Sequence, residues 1–233
     1  MIAKAITYRV CRKDNTRQSK RMALNIQNIK QEQLVFLRNS DIFSISERGV
    51  TTANATGTLS GTKVITISTT GVKNIRTITV GAVSKSLGTD YTVVYGTAST
   101  IITFGANQTG NYVVSHDYGS DKIYPDFPRD DLTIGSYPRI AIDILSAPIE
   151  AFGIGGTTFI TDVAFTIVVY ADKSDALDGY IQAIKTAYIA VPKDFYYLSY
   201  VKPTMIGPTL DSADKKSEIM QKNIDMLGMF NVE

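Results

Sequence analysis

The sequence predicts an α+β protein: an antiparallel or mixed sheet packed with helices, interrupted by an inserted all-β, sandwich-like module. Three observations carry that prediction. From Thr51 to Gly119, sixteen of 69 residues are Thr, nine are Gly and only six are charged, which suits short strands and turns and disfavours helix. On either side lie segments of helical period, Ser19–Leu37 and Asp172–Pro192. Just before the second of these, Phe159–Ala171 alternates as a long strand. Residues 1–50 and 120–233 therefore read as one discontinuous domain, with 51–119 inserted into one of its loops. A folded insert closes the loop it occupies, so such an insertion costs little.

The elements follow in order. Met22, Ile26, Ile29, Leu34 and Leu37 keep close to the spacing of an amphipathic helix, which ends at Arg38-Asn39. Asp41–Val50 alternates weakly through Ile42, Ser44 and Ser46 and reads as a strand or a helical extension. Within the insert, strands are predicted at Lys63–Ser68, Ile75–Val80, Tyr91–Tyr95, Thr100–Phe104 and Asn111–His116. Gly61, Gly71, Gly81, Gly88, Gly96, Gly105 and Gly110 stand between them as turns. Ser120–Ser136 reads as a linker, holding Pro125, Pro128 and the pair Asp130-Asp131.

Ile140, Ile142 and Ile144 alternate with Arg139, Ala141 and Asp143, the pattern of a strand with one buried face. The second half of Phe159–Ala171 is apolar on both faces, which places that strand mid-sheet. Asp172 offers an N-cap with Asp175 three residues on, and Leu177, Tyr180, Ile181, Ile184 and Tyr188 keep helical spacing up to Pro192. Phe195–Val201 is strand-like, Met205–Pro208 reads as a loop, and Ser217–Val232 favours strand over helix.

The inventory of reactive groups is short. The single cysteine, Cys11, and the single histidine, His116, exclude a disulfide framework and common zinc sites. No catalytic, metal or cofactor residues are assigned, and the expectation is a protein that is not an enzyme and needs no cofactor. No apolar run reaches the roughly 18–20 residues of a membrane span, and Met1–Tyr8 lacks the pattern of a signal peptide, so neither a membrane partner nor secretion is expected.

The formal charge of +2 conceals a polarity. Residues 1–50 carry ten Lys/Arg against four Asp/Glu, and residues 120–233 carry ten against sixteen. Arg9, Lys13, Arg17 and Arg21 recur every four residues, which on a helix makes one basic stripe able to meet phosphates or an acidic surface. Phe152, Gly153, Ile154, Gly155 and Gly156 invite comparison with phosphate loops, but a strand follows where such loops need a helix N-terminus. They read as a hairpin tip and, with the stripe, as candidate interface. Asp172, Asp175 and Asp178 read as helix-terminal charges rather than a Ca²⁺ site, and Tyr196, Tyr197 and Tyr200 as core and interface.

From Tyr137-Pro138-Arg139-Ile140, through the Gly-rich loop and the strand Thr161–Ala171, to the helix after Asp172, the chain resembles tail-terminator (tail-completion) proteins of tailed viruses. Lys216–Glu233 is similar to their last strand. Within the insert, Leu87-Gly88-Thr89-Asp90-Tyr91-Thr92-Val93, Thr100–Phe104 and Asn111–Ser115 resemble small β modules of virus tail and baseplate proteins, although terminators usually lack such an insert. The resemblance implies a structural protein of the virion neck, assembled in the host cytoplasm. It would form a homo-oligomeric ring, most often a hexamer, that caps the tail tube and meets head-completion proteins, with non-specific DNA contact in the lumen. Alternative readings are a head-closure or minor tube protein, a carbohydrate- or host-binding adhesin using Tyr91, Tyr95 and Tyr112, and a hydrolase using His116 and Asp117.

Overall fold

A computed structural model describes residues 26–125, 137–146, 149–152, 158–191, 195–211 and 219–232. In chain order its elements are α1 (Ile26–Asn39), α2 (Ile45–Arg48), β1 (Val50–Ile67), β2 (Val72–Val80), β3 (Val83–Lys85), β4 (Tyr91–Tyr95) and β5 (Thr100–Gly119). There follow β6 (Ile123–Tyr124), β7 (Arg139–Ser146), β8 (Ile149–Phe152), β9 (Thr158–Ala171), α3 (Ser174–Ala190), β10 (Tyr200–Ile206), β11 (Leu210–Asp211) and β12 (Met220–Val232). The protein is mainly β, with strands gathered into two sheets, and is compatible with the α+β class.

The first sheet runs β10-β12-β9-β7-β6, with β8 paired to β9 and β11 to β12. All ladders are antiparallel except β6 with β7, so the sheet is mixed. β9 lies mid-sheet, as its two-sided apolar pattern demands. Val163, Phe165, Ile167 and Val169 project from one of its faces and are fully buried beneath both long helices. α1 contributes Ile29, Leu34 and Leu37, and α3 contributes Leu177, Ile181, Ile184 and Tyr188. Each helix thus turns a single apolar stripe onto the sheet.

The second sheet runs β1-β5-β2-β3, with β4 also on β5. β5 is its spine. The Thr100–Phe104 end pairs with β4 and the end of β1, while Tyr112–Tyr118 pairs with the start of β1 and with β2. Register shifts flank Thr62, next to Gly61, whose φ of 69° is the left-handed backbone that bends β1. Leu59, Ile65, Ile75, Ile78, Ile102, Phe104 and Val114 form a second core, separate from the first.

Several sequence expectations are corrected here. Gly61, Gly105 and Gly110 lie within strands instead of ending them, so Lys63–Ile67 is the far part of β1, with Ser68 just past its end, and Thr100–Phe104 and Asn111–His116 belong to one strand. Asp41–Val50 holds the one-turn helix α2 and then the first residue of β1. The region read as a linker contains β6, fixed because Ile123 is fully buried. The N-cap of α3 is Lys173, not Asp172, and it makes no side-chain cap bond. Phe195–Ser199 is irregular, and the strand begins at Tyr200.

Candidate functional site

The second sheet begins where its first and last strands meet, at the ladder pair Val50 opposite Gly119. Arg48, the last residue of α2, and Asp121, just past β5, stand two residues outside that pair, and Thr52 and Asp117 face each other two residues inside it. The one-turn helix α2 aims Arg48. Ser44 Oγ accepts the Glu47 N–H at 3.2 Å, the Glu47 carboxylate accepts the Ser44 N–H at 2.8 Å, and Gly49 ends the turn with φ 69°.

Arg48 is left 1% exposed. Its Nε and Nη2 donate to the two oxygens of Asp121 at 3.1 and 3.0 Å, a bidentate pair, and Nη1 donates to Asp117 Oδ2 at 2.9 Å. Nη1 also reaches the Arg38 carbonyl at 3.1 Å. The other Asp117 oxygen accepts from Arg76 Nε at 2.7 Å and Thr52 Oγ1 at 2.8 Å. Arg38 joins from α1, donating to the carbonyls of Lys73 in the second sheet at 2.7 Å and Ile123 in the first at 2.8 Å. Its Nε lies 2.7 Å from Asp121 as an ion pair, though not aligned as a hydrogen bond.

Three guanidinium groups therefore face two buried carboxylates. Burial alone would raise the pKa of Asp117, but hydrogen bonds from Arg76 and Thr52 and the charges of Arg48 and Arg76 outweigh it and hold the group below the usual range. Burial likewise depresses Arg48, and Asp121 and Asp117 reverse the sign, leaving it raised. At Arg38 burial prevails over Asp121, and the pKa is lowered. The arrangement suits fixing one sheet on the other. All the donors of the Arg48 guanidinium that the network uses go to Asp117, Asp121 and the Arg38 carbonyl, while Arg38 Nε stays without an aligned partner.

α1 lies between the two sheets, with an open cleft on each side. The larger, about 610 Å³, is bounded by Glu32 and Phe36 of α1, Arg76 of β2, Tyr91 of β4, and Phe195 and Tyr196. The other, about 540 Å³, runs between Lys30 and Arg38 of α1 and Lys73 and Tyr95 of the second sheet. Glu32 accepts the backbone N–H groups of Tyr196 and Tyr197. Burial pushes its pKa up to about 7, only partly offset by those N–H groups. Tyr196 sits on Gly88 at the turn between β3 and β4, where an added Cβ would lie 2.5 Å from the ring and φ is +81°.

The residues singled out from the sequence fall elsewhere. Arg9, Lys13, Arg17 and Arg21 lie outside the described residues, as do Cys11 and Gly153, Ile154, Gly155 and Gly156. Phe152 ends β8, its backbone paired with Thr158 of β9, which is a hairpin arrangement. Tyr91 is only 6% exposed, and Tyr95 and Tyr112 pack against the same core, so these three do not form an open stacking surface. His116 and Asp117 are both buried with different partners, Thr69 and the Val114 carbonyl for the first and the arginine network for the second. Asp178 pairs with Lys222 at 2.6 Å. No cluster of His, Cys, Asp or Glu able to hold a metal occurs among the described residues, and no helix there is long and apolar enough to cross a membrane.

The junction network was missed by sequence reasoning. Its signal was the position of the charges: Arg48, Asp117 and Asp121 stand at the edges of a stretch otherwise almost free of charge. No protein-family model matches the chain, and a search of curated proteins finds no match.

Proposed function

We propose that this protein is a structural component of the neck of a tailed virus, a ring that ends the tail tube and offers a surface to head-completion proteins. One observation carries the reading: the order strand, Gly-rich hairpin, long central strand, helix and closing strand from Tyr137 onward, in a sequence that resembles the terminator family. β7, β8, β9, α3 and β12 stand in that order, and β12 pairs along β9 from Met220 to Val232. Within this reading the second sheet is a sandwich-like insert whose bent halves enclose one core, and the junction network sets its angle to the ring. Opposite net charges at the two ends of the chain suit the heterologous contacts of a ring.

Native mass spectrometry of the full chain, alone and with tail tubes, tests the reading. Six copies of 25.5 kDa give about 153 kDa. A monomer under every condition, tail tubes included, refutes it.

A further inference from the structure

The larger cleft beside α1 holds a carboxylate, Glu32, without a cationic partner among the described residues. Among the described residues Glu32 takes hydrogen bonds from the N–H groups of Tyr196 and Tyr197 alone, which leaves lone pairs on its oxygens, and no ion pair to it exists there. Around it stand aromatic side chains, Phe36, Tyr91, Phe195 and Tyr196. Phe36 and Phe195 meet edge to face at 5.1 Å, which fixes the rings before anything binds. A carboxylate among aromatic rings is suited to a cation, through Coulomb attraction and the negative faces of the rings.

We propose that this cleft binds a cationic side chain, an ammonium or guanidinium group carried on a peptide, with Glu32 as its counter-charge and the aromatic rings as its walls. The proposal does not depend on the neck-ring reading. Among the described residues two cations also line the cleft. Arg76 is already held by Asp117 at 2.7 Å, so its charge is compensated, and Lys85 of β3 is, among the described residues lining the cleft, the cation left to compete. Among the described residues the remaining titratable groups facing Glu32 are the phenols of Tyr91, Tyr188, Tyr196 and Tyr197, and burial pushes those of Tyr91, Tyr188 and Tyr197 above the ordinary phenol range. Ionisation of Glu32 therefore governs the charge of the site, and a cation binds more tightly as pH rises through about 7.

The test uses the full chain and a fluorescent peptide spanning positions 8–21, which carries Arg9, Arg12, Lys13, Arg17, Lys20 and Arg21. Its control has every Lys and Arg replaced by Gln. Anisotropy titrations at low salt should show binding about tenfold tighter near pH 8 than near pH 5.5, and a loss of about tenfold on Glu32→Gln or with the control peptide. The pH dependence is read on the unaltered protein, so the test survives a variant that fails to fold. If the wild-type chain refuses the peptide but the full chain with Arg9, Lys13, Arg17 and Arg21 changed to Gln accepts it, the occupant is the chain's own basic segment. Binding by the wild type assigns it to a separate molecule. Binding indifferent to both pH and Glu32→Gln overturns the proposal. So does refusal by both proteins, or binding that appears only on Lys85→Gln.

Discussion

Arg48→Met should cost the protein about 3 kcal/mol, because it removes the one side chain that touches both buried carboxylates of the junction. The magnitude follows from what stays behind. Breaking a buried pair typically costs about 3–5 kcal/mol when a charge is orphaned. Here Asp117 keeps Arg76 and Thr52, and Asp121 keeps Arg38, so the low end applies. Met fills the volume of the arginine stem but offers no donor. Urea titration followed by circular dichroism reads the loss. Because Arg48 is 1% exposed, the loss should be nearly the same at low and high salt, unlike that of a surface pair. A double-mutant cycle with Asp121→Asn should return a coupling of about 1–3 kcal/mol. A cost below about 1 kcal/mol, or one that vanishes in salt, would refute the reasoning by showing the network to be solvated.

Gly88→Ala should destabilise by about 1–3 kcal/mol through its positive φ and the Tyr196 ring, and adding Tyr196→Ala should recover part of the loss; no change on thermal melting would mean the turn does not press on that ring. Val169→Asp should abolish the cooperative melt, since the residue is fully buried in the central strand and the cation opposite it on β12, Lys222, is already paired with Asp178; wild-type circular dichroism and melting would displace β9 from the middle of the sheet. Glu32 has its pKa raised from 4.5 to about 7 in the folded state, so folding favours its protonated form. Its contribution is full below about pH 4.5 and falls by about 3 kcal/mol as pH rises to about 7, then stays flat. Glu32→Gln should flatten the stability profile over that window, and an unchanged slope would place the titration elsewhere. Replacing residues 53–116 by a short Gly/Ser linker should leave a cooperative transition, because the first core draws no residue from the removed stretch; loss of that transition would show that the two sheets fold only together.

What the sequence made legible was whatever repeats. The four alternating apolar residues Val163, Phe165, Ile167 and Val169 marked a strand, and the unbroken hydrophobicity around Val168 placed it in mid-sheet. Leu177, Ile181, Ile184 and Tyr188 marked one helix face in the same way. The sharp fall in charge near Gly49 located the start of the second sheet, whose first strand begins at Val50. Local rules misled where glycine had two readings. At Gly71, Gly81, Gly88 and Gly96 it lies between strands, but at Gly61 it lies within one, and φ near +69° serves a bulge as well as a turn. Asp172 had the right side chain for a cap, yet the helix starts after Lys173, so side-chain identity alone did not fix the boundary.

The junction was hidden for a different reason. Alternation assigns a charged residue to solvent, and nothing local distinguishes Arg48, 1% exposed, from an arginine on a surface turn. Its burial depends on partners 69 and 73 positions away, Asp117 and Asp121, and these meet it only once the register is known. Pairing Val50 with Gly119 makes the rest follow: it brings Arg48 beside Asp121 across the two strands and sets Asp117 opposite Thr52. A second sheet held by two adjoining strands needs something to stop it pivoting, and apolar packing is a weak choice there because it is non-directional. Bidentate guanidinium pairs have fixed geometry, and with Arg38 bonded to a carbonyl of each sheet they constrain the angle as well as the distance. The same logic explains why the network carries an excess of cations. An arginine can be compensated by backbone carbonyls, as Arg38 is by Lys73 and Ile123, whereas a carboxylate buried without a cation would sooner take up a proton and give up its hold.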